Sequence, residues 1–403
     1  MVPNDWETRS LDSIVDAPIR YGVVQIGEHV EDGVPIVPIK FINSIEISPL
    51  HKTAKSIESK YINSRIKGGD VLISIKGTIG AVGLVPSGFE GNIAREIARI
   101  RPSKNYDSSY VLYQLQSDFT QKRIQNLTVG STRKEFSIHT IKKFSIDIPP
   151  LPEQRKIAQI LSTWDKAIAT TEKLIDTSKQ QKKALMQQLL TGKKRLVDSE
   201  TGKAFEGDWE NVSLKKLISE VKKTKEIEPN IIELLTVKLH HKGVKASGKY
   251  PNATKGGRPY YKRYTGELII GRQNLHNGGI AIVTEECDGL IASNAISSFE
   301  VTSIADVQFI LNKMSTAHFI YTIDNLTGGT GQKEISVKEL LKIKISTPSI
   351  TEQQKIASVL TAADKDIELL EAKLAHLKQE KKALMQQLLT GKRRVKVTET
   401  EAA

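Results

Sequence analysis

Apolar residues recur at alternating steps of four and three along two stretches of the 403-residue chain. In the first they fall on Ile157, Leu161, Trp164, Ile168, Thr171, Ile175, Ser178, Lys182, Leu185 and Leu189. In the second they fall on Ile356, Leu360, Ala363, Ile367, Leu370, Leu374, Leu377, Lys381, Leu384 and Leu388. This is a heptad seam, interrupted by polar residues in the first copy and cleaner in the second. Each stretch opens at a proline boundary, "PPLPEQ" and "TPSITEQ". Pro152 suits a first helical turn, and Thr351 with Gln354 three residues on predicts a capping box. Each stretch closes on "LLTGK", where the glycine predicts a left-handed cap and the cations after it suit the negative end of the helix dipole. About 39 residues lie between these ends, or about 58 Å of helix at 1.5 Å per residue. A seam of that length needs a partner helix. The nearest is the other copy, which predicts an antiparallel coiled coil within one chain. Packing of each helix on its own globular region is the competing expectation, and ordinary globular helices are far shorter.

Outside these stretches the apolar runs are short and punctuated by Gly, Pro and Asn. "GDVLISIKGTIGAVGLV" and "GELIIGRQNLHNGGIAIV" predict strand, turn, strand. "YVLYQLQSDFTQKRIQNL" and "DVQFILNKMSTAHFIYTI" each predict a helix. The fold class is therefore α+β, or mixed α/β, in two globular domains joined by two long helices.

The halves are copies. "KKALMQQLLTGK" stands at Lys182–Lys193 and again, unchanged, at Lys381–Lys392, an offset of 199. At the same offset, "LTVGSTRKEFSIHTIKKFSIDIPPLPEQRKIAQIL" from Leu127 aligns without a gap to "LTGGTGQKEISVKELLKIKISTPSITEQQKIASVL" from Leu326. "DWETRSL" and "DWENVSL" open the halves. The repeat predicts a first variable domain over 1–148, a helical region over 149–196, a second variable domain over 204–346, a second helical region over 347–394, and a flexible tail over 395–403. A pseudo-twofold arrangement follows.

Charge sharpens the picture. Lys and Arg number 59 against 46 Asp and Glu, a net +13 with pI near 9.4. Such a balance favours a polyanionic partner, foremost nucleic acid. Cys287 stands alone, so no intrachain disulfide or cysteine zinc cluster is expected. No apolar run reaches the length of a membrane span and "MVPNDWETRS" lacks a signal-peptide core, so a cytoplasmic protein of a bacterium or archaeon is expected, with no membrane partner. "TGGTGQKE" lacks phosphate-loop spacing, and "GTIGAVG" is not a dinucleotide fingerprint. The eight histidines are scattered, and the adjacent His240 and His241 lack a nearby acidic or cysteine set. No metal site, catalytic residue or bound cofactor is expected in this chain.

This order of variable domain and near-identical helix resembles the specificity (S) subunit of Type I restriction-modification systems. The likeness rests on the two variable domains, on "PPLPEQRKIAQIL" and "TPSITEQQKIASVL" entering the helices, on "ALMQQLLTGK" closing them, and on "GSTRKEFS" and "GGTGQKEIS" before them. The resemblance implies that each variable domain is a target recognition domain reading one half of a split site in double-stranded DNA. It implies that the helices fix the spacer and dock two modification (M) methyltransferase subunits. S-adenosylmethionine chemistry then belongs to the M subunits, which flip the target adenine. Restriction (R) subunits complete the complex with ATP and Mg²⁺. Simple geometry agrees: one chain with two similar domains mimics a dimer, and dimeric readers address half-sites about 34–36 Å apart. Dissimilar domains imply an asymmetric target.

Base reading needs Arg, Lys, Asn and Gln at groove edges, and positioning needs cations and free amides on phosphates. The first domain offers the loop Gly130, Ser131, Thr132, Arg133 and Lys134, and the turn Lys76, Gly77 and Thr78. The second offers the matching loop Gly329, Thr330, Gly331, Gln332 and Lys333. It adds Arg258, Tyr260, Tyr261, Lys262 and Arg263 from "GGRPYYKRY", and Arg272, Gln273 and Asn274 from "GRQN". The plainer alternative makes "GGRPYYKRY" a solvated hairpin with tyrosines packed across strands. Two other functions compete: a stand-alone nuclease, for which no carboxylate cluster can be placed, and a coiled-coil adaptor of another complex.

Overall fold

The computed structural model describes residues 3–128, 135–222, 225–254, 256–327 and 333–397. The chain forms two compact units, Met1–Glu172 with Ala372–Ala403, and Lys173–Glu371. Each therefore holds the first half of one long helix and the second half of the other.

In the first unit, Val15–Tyr21, Ile97–Pro102, Val71–Ser74 and Val82–Leu84 lie side by side in that order, all antiparallel. A second sheet runs His51–Thr53, Val34–Val37, Glu90–Ile93, Ile66–Lys67, with its central pair parallel. The strand Val71–Ser74 is buried on both faces, which is why it reads as an unbroken apolar run. Val71 and Ile73 enter the core beneath the helices, and Leu72 enters the core shared with the second sheet. A two-stranded ribbon, Glu7–Ser10 with Ser145–Ile148, delivers the chain to the first long helix.

The second unit repeats the four-stranded sheet with Ile218–Glu220, Ile296–Val301, Leu268–Gly271 and Ile280–Ile282. Its entry ribbon is Glu210–Ser213 with Lys344–Thr347. The remaining strands form separate pairs, Leu235–Val237 with Val244–Ala246 and Tyr260–Lys262 with Ile291–Ser293. The two globular regions thus share a sheet frame and differ in what surrounds it.

Each helix expected after the sheet strands is two. Ser108–Gln116 is followed by Asp118–Leu127, and Val307–Met314 by Ala317–Leu326. Ser117 and Thr316 adopt extended backbone and cap the second member, accepting the amides of Thr120 and Phe319. A hydroxyl residue inside an apolar period is compatible with continuation, so the period alone hid the break.

The long helices span Leu151–Leu189 and Ile350–Leu388, 39 residues each. The side-chain cap lies two residues before the expected capping box. Ser349 accepts the Glu352 amide at 3.4 Å, and Thr351 sits exposed within the first turn. Gly192 and Gly391 both take φ of +70°, the left-handed cap. In each unit the start of one long helix packs antiparallel on the end of the other. Ile157 and Leu161 share a core with Leu384 and Leu388, and Ile356 and Leu360 share one with Leu185 and Leu189. Trp164, Ile168, Leu370, Leu374 and Leu377 are half-buried, and Ile175 and Ile367 are buried. The lysines of the seam meet carboxylates, Lys381 with Asp165 and Lys182 with Asp364.

A buried carboxylate clasps each helix start to the other helix's end. Glu153, 4% exposed, accepts both Nε and Nη2 of Arg394 at 2.8 and 2.7 Å, and the Trp6 indole N–H at 3.2 Å. Arg394 also holds Asp5, and these two acids raise its pKa further above its ordinary value. Glu352, 1% exposed, accepts Nε and Nη2 of Arg195 at 2.7 and 2.8 Å. Arg195 donates as well to the carbonyls of Gly207 and Glu206. A carboxylate in a first helical turn also meets the positive end of the helix dipole.

Arg394→Met leaves Glu153 buried without its cation. Loss of one partner of a buried pair costs about 3–5 kcal/mol, and partial exposure of Arg394 reduces this to about 2–3 kcal/mol. Lys378→Met removes an exposed pair with Glu172 at 2.7 Å and should cost under about 1 kcal/mol. Urea midpoints of the two variants measure the contrast.

Lys313 gives a pH signature to the second unit. Its ammonium donates to the Leu190 carbonyl beneath the Trp209 ring, and burial lowers its pKa from 10.5 to about 8. Between about pH 8 and 10.5 the native chain loses this proton while the unfolded chain keeps it, so stability from this group rises with pH across that window. At the equivalent place in the first unit, neutral Gln114 donates to the Leu389 carbonyl at 2.8 Å. Lys313→Gln should therefore flatten the rise, read as urea midpoints compared at about pH 7.5 and about pH 9.5.

Candidate nucleic-acid interface

In each globular region the residues that follow the candidate loop dock on a candidate turn at the end of a sheet strand. The strand Val71–Ser74 ends in the exposed turn Lys76, Gly77 and Thr78, where Gly77 takes φ of +69°. The chain leaving the "GSTRKEFS" loop docks on this turn. The Phe136 amide donates to the Ile75 carbonyl at 3.0 Å, the Phe136 side chain is buried, and Lys76 pairs with Glu135 at 3.3 Å. Ser137 then caps the helix Ile138–Lys143.

The second region repeats this joint, with the loop exits 199 positions apart at Phe136 and Ile335 and the turn carbonyls 197 apart at Ile75 and Arg272. The Ile335 amide donates to the Arg272 carbonyl at 3.4 Å, and Ile335 is buried. Arg272 pairs with Glu334 at 3.0 Å and donates to the Asn294 carbonyl at 3.1 Å; Gln273 donates to Glu334 at 3.3 Å. Lys333 pairs with Asp324 of the preceding helix at 3.0 Å. Asn274 is exposed. Arg272 and Gln273 therefore hold the exit of the loop, while Asn274 faces solvent. Gly130, Ser131, Thr132, Arg133, Lys134, Gly329, Thr330, Gly331 and Gln332 lie outside the described residues.

The "GGRPYYKRY" segment divides. Tyr260–Lys262 is a strand paired with Ile291–Ser293, its two tyrosines half-buried. Arg258 is exposed, and Lys262 pairs with Glu226 at 3.0 Å. Arg263 is a correction. It is 1% exposed, and its guanidinium donates inward to the carbonyls of Lys262 and Ile296 at 3.1 and 2.7 Å. Just after the strand, it serves as an internal strut and does not reach a base edge. Burial lowers its pKa.

Glu135 and Glu334 were not singled out in the sequence, although "KE" closes both loops in register. The same holds for Arg195 and Arg394, which also stand 199 apart. An acid beside a basic loop, or a cation in a run of cations, carries no signal until its partner is seen. Among the described residues, no three His, Cys, Asp or Glu side chains converge in a way that could hold a metal ion, and no helix is long and apolar enough to cross a membrane.

Residues 3–179 and 206–379 match the family described as the Type I restriction modification DNA specificity domain. The chain belongs to this family. It is 28% identical over 417 residues to the type I restriction enzyme MjaVIII specificity subunit of Methanocaldococcus jannaschii, across 98% of this chain and 94% of that one. A stretch of 164 residues is 30% identical to the EcoBI specificity subunit of Escherichia coli, covering 40% of this chain and 35% of the relative. In fold it is similar to the S subunit of the Type-I restriction-modification system from M. genitalium, with TM-score 0.57 at 16% identity over 99% of both chains. The tandem repeat of a DNA specificity domain makes this chain a type I specificity subunit with two recognition modules. In each module the sheet-end turn meets the exit of the loop described above.

Glu334→Gln removes the ion pair that holds the Arg272 turn to the loop exit. Affinity of the assembled complex for its own site should fall about tenfold, about 1.4 kcal/mol, with the melting temperature unchanged. Filter binding and calorimetry check the two arms.

Proposed function

We propose that the two globular regions read the two dissimilar halves of an asymmetric, bipartite site in double-stranded DNA, while the paired helices set the spacer and present two equivalent docking surfaces to two M subunits. One observation carries this reading. The helix contacts recur in register: Lys381–Asp165 and Lys182–Asp364, Lys378–Glu172 and Lys179–Glu371, Arg394–Glu153 and Arg195–Glu352 are each related by 199 positions. A partner that binds one half of such a helix pair finds the same side chains in the other half. The globular regions share a sheet frame but differ in their turn residues, Lys76-Gly77-Thr78 against Arg272-Gln273-Asn274, as two different half-sites require.

In this reading the chain is non-catalytic. S-adenosylmethionine sits on the M subunits, ATP and Mg²⁺ on the R subunits, and the complex works in the cytoplasm. Arg133, Lys134, Gln332 and Asn274 are base-edge candidates, and Lys76, Lys333 and Arg272 position the loops.

The test is a methylome. Insertion of one heptad in each long helix keeps the seam in phase and lengthens the pair by about 10 Å, or about three base pairs. The methylated site should keep both half-sites and gain a longer spacer. Changed half-site bases with an unchanged spacer would falsify the proposed division of labour, and absence of any split motif dependent on the wild-type gene would remove the reading altogether.

A further inference from the structure

The first globular region carries a basic groove that none of the sequence motifs marked. It follows the edge strand Val15–Tyr21, which faces the 3-10 helix Ser59–Ser64 and the strand Ile66–Lys67 across an open cleft of about 620 Å³. Five cations line this cleft, and two more line the depression that continues it past Arg20 toward the helix Ile138–Lys143. Glu90 is the one carboxylate lining either of them.

The groove is built rather than incidental. Arg99 forms its floor, 3% exposed, and donates to the Pro18 carbonyl on one wall and the Arg65 carbonyl on the other, both at 2.9 Å. Its Nε has no hydrogen-bond partner among the described residues. Arg101 is held by buried Asp70 in a two-pronged pair at 2.7 Å. Arg65 is oriented by Glu58, which is buried and braced by Asn92 at 2.9 Å. These carboxylates stand behind the arginines. Asp12 engages Lys142 at 3.4 Å, and Asp16 is exposed on the edge strand near Arg101. Arg20, Lys60 and Lys67 are exposed and have no ion pair among the described residues.

Position adds the second argument. Tyr21 pairs with Ala98 at the same sheet end where Ser74 pairs with Ile97, just before the Lys76 turn. Tyr21 is 50% exposed there. Ile138 and Lys142, which line the groove past Arg20 on the Tyr21 side, belong to the helix that follows the loop exit at Glu135. The groove therefore starts beside the candidate reading turn and runs away from it along one strand.

We infer that this groove is a track for the sugar-phosphate backbone of duplex DNA flanking the half-site read by the first region, with Arg20, Lys60 and Lys67 as phosphate contacts. The inference rests on the DNA-reading proposal above. Phosphate contacts fix register without reading sequence, and each contributes about 0.9 to the slope of log affinity against log salt.

The test uses the complete complex with M subunits and the triple variant Arg20→Gln, Lys60→Gln, Lys67→Gln. All three positions are exposed, and none belongs to the base-edge candidates. The salt slope should become shallower by about 2 to 3. Affinity should fall equally for the cognate site and for random duplex, with the methylated motif unchanged. The single variant Arg20→Lys, which keeps the charge, should retain the wild-type slope. An unchanged slope in the triple variant, in a complex that still recognises its site, overturns the groove and leaves the DNA-reading proposal standing. A changed motif overturns it too, because base readout would then pass through these residues. A wild-type complex with no preference for any duplex sequence sinks both.

Discussion

The structure hangs on two buried carboxylates, Glu153 and Glu352, each at the start of a long helix and each gripped by an arginine from beyond the end of the other helix. Without this clasp the seam would still be apolar, but its ends would not be pinned. The glycine caps make the grip possible. Gly192 and Gly391 reverse the chain within a few residues, and only a left-handed residue does so without strain. Arg195 and Arg394 then point back at the first turn of the facing helix. Trp6 and Asp5 join one clasp, and the Gly207 and Glu206 carbonyls join the other, so each also ties down the strand that opens a globular region. A one-residue slip along the seam would break both clasps and all four interhelical lysine pairs at once. Register is thus fixed electrostatically at the ends and by packing between them.

That arithmetic explains where the chain repeats itself. An antiparallel pair of near-identical helices presents every contact twice, related by a single offset. A substitution in one copy changes only one of the two equivalent surfaces. The copies are most alike in "KKALMQQLLTGK", as the proposed docking of one partner on both surfaces would require. The sheets need only preserve their frame. Leu72 faces Arg99 in one and Ile269 faces Ser298 in the other, at matched places in the two sheets. Such a pair tolerates a change of chemistry because it serves its own region alone. Gln114 and Lys313 show the limit of this freedom: the same carbonyl beyond a helix end takes an amide in one unit and a buried ammonium in the other.

Periodicity made the two long helices and their pairing legible, though not the exact cap of the second, because a heptad seam states both which face is buried and what must cover it. The sheet hairpins were legible for a related reason, since turn residues separated their apolar runs. The broken helices were not. Ser117 and Thr316 interrupt the backbone without interrupting the apolar period, and only their extended conformation reveals it. Which way each side chain points within a candidate segment was not legible. Composition marks "GGRPYYKRY" as basic and aromatic, yet Arg263 faces inward while Arg258 faces solvent. Arg99 and Arg20 sit in an ordinary-looking strand pair, where nothing in their neighbours signals that they stand opposite each other across one ladder.

Positive charge in this protein therefore does three separable kinds of work. Arg195 and Arg394 are spent on buried carboxylates and fix the helices. Arg263, Arg272 and Arg99 are committed to backbone carbonyls and shape the surfaces from beneath. What is exposed and has no ion pair among the described residues, such as Arg20 and Lys60, is available to a polyanion. A guanidinium already forked onto a carbonyl pair would have to abandon those bonds to reach a base, leaving buried acceptors unsatisfied at about 1–3 kcal/mol each. Lysines and arginines with no internal commitment pay no such cost. Net charge counts all of these alike, so the basic pI draws attention to nucleic acid for a reason only partly connected to the residues that would touch it.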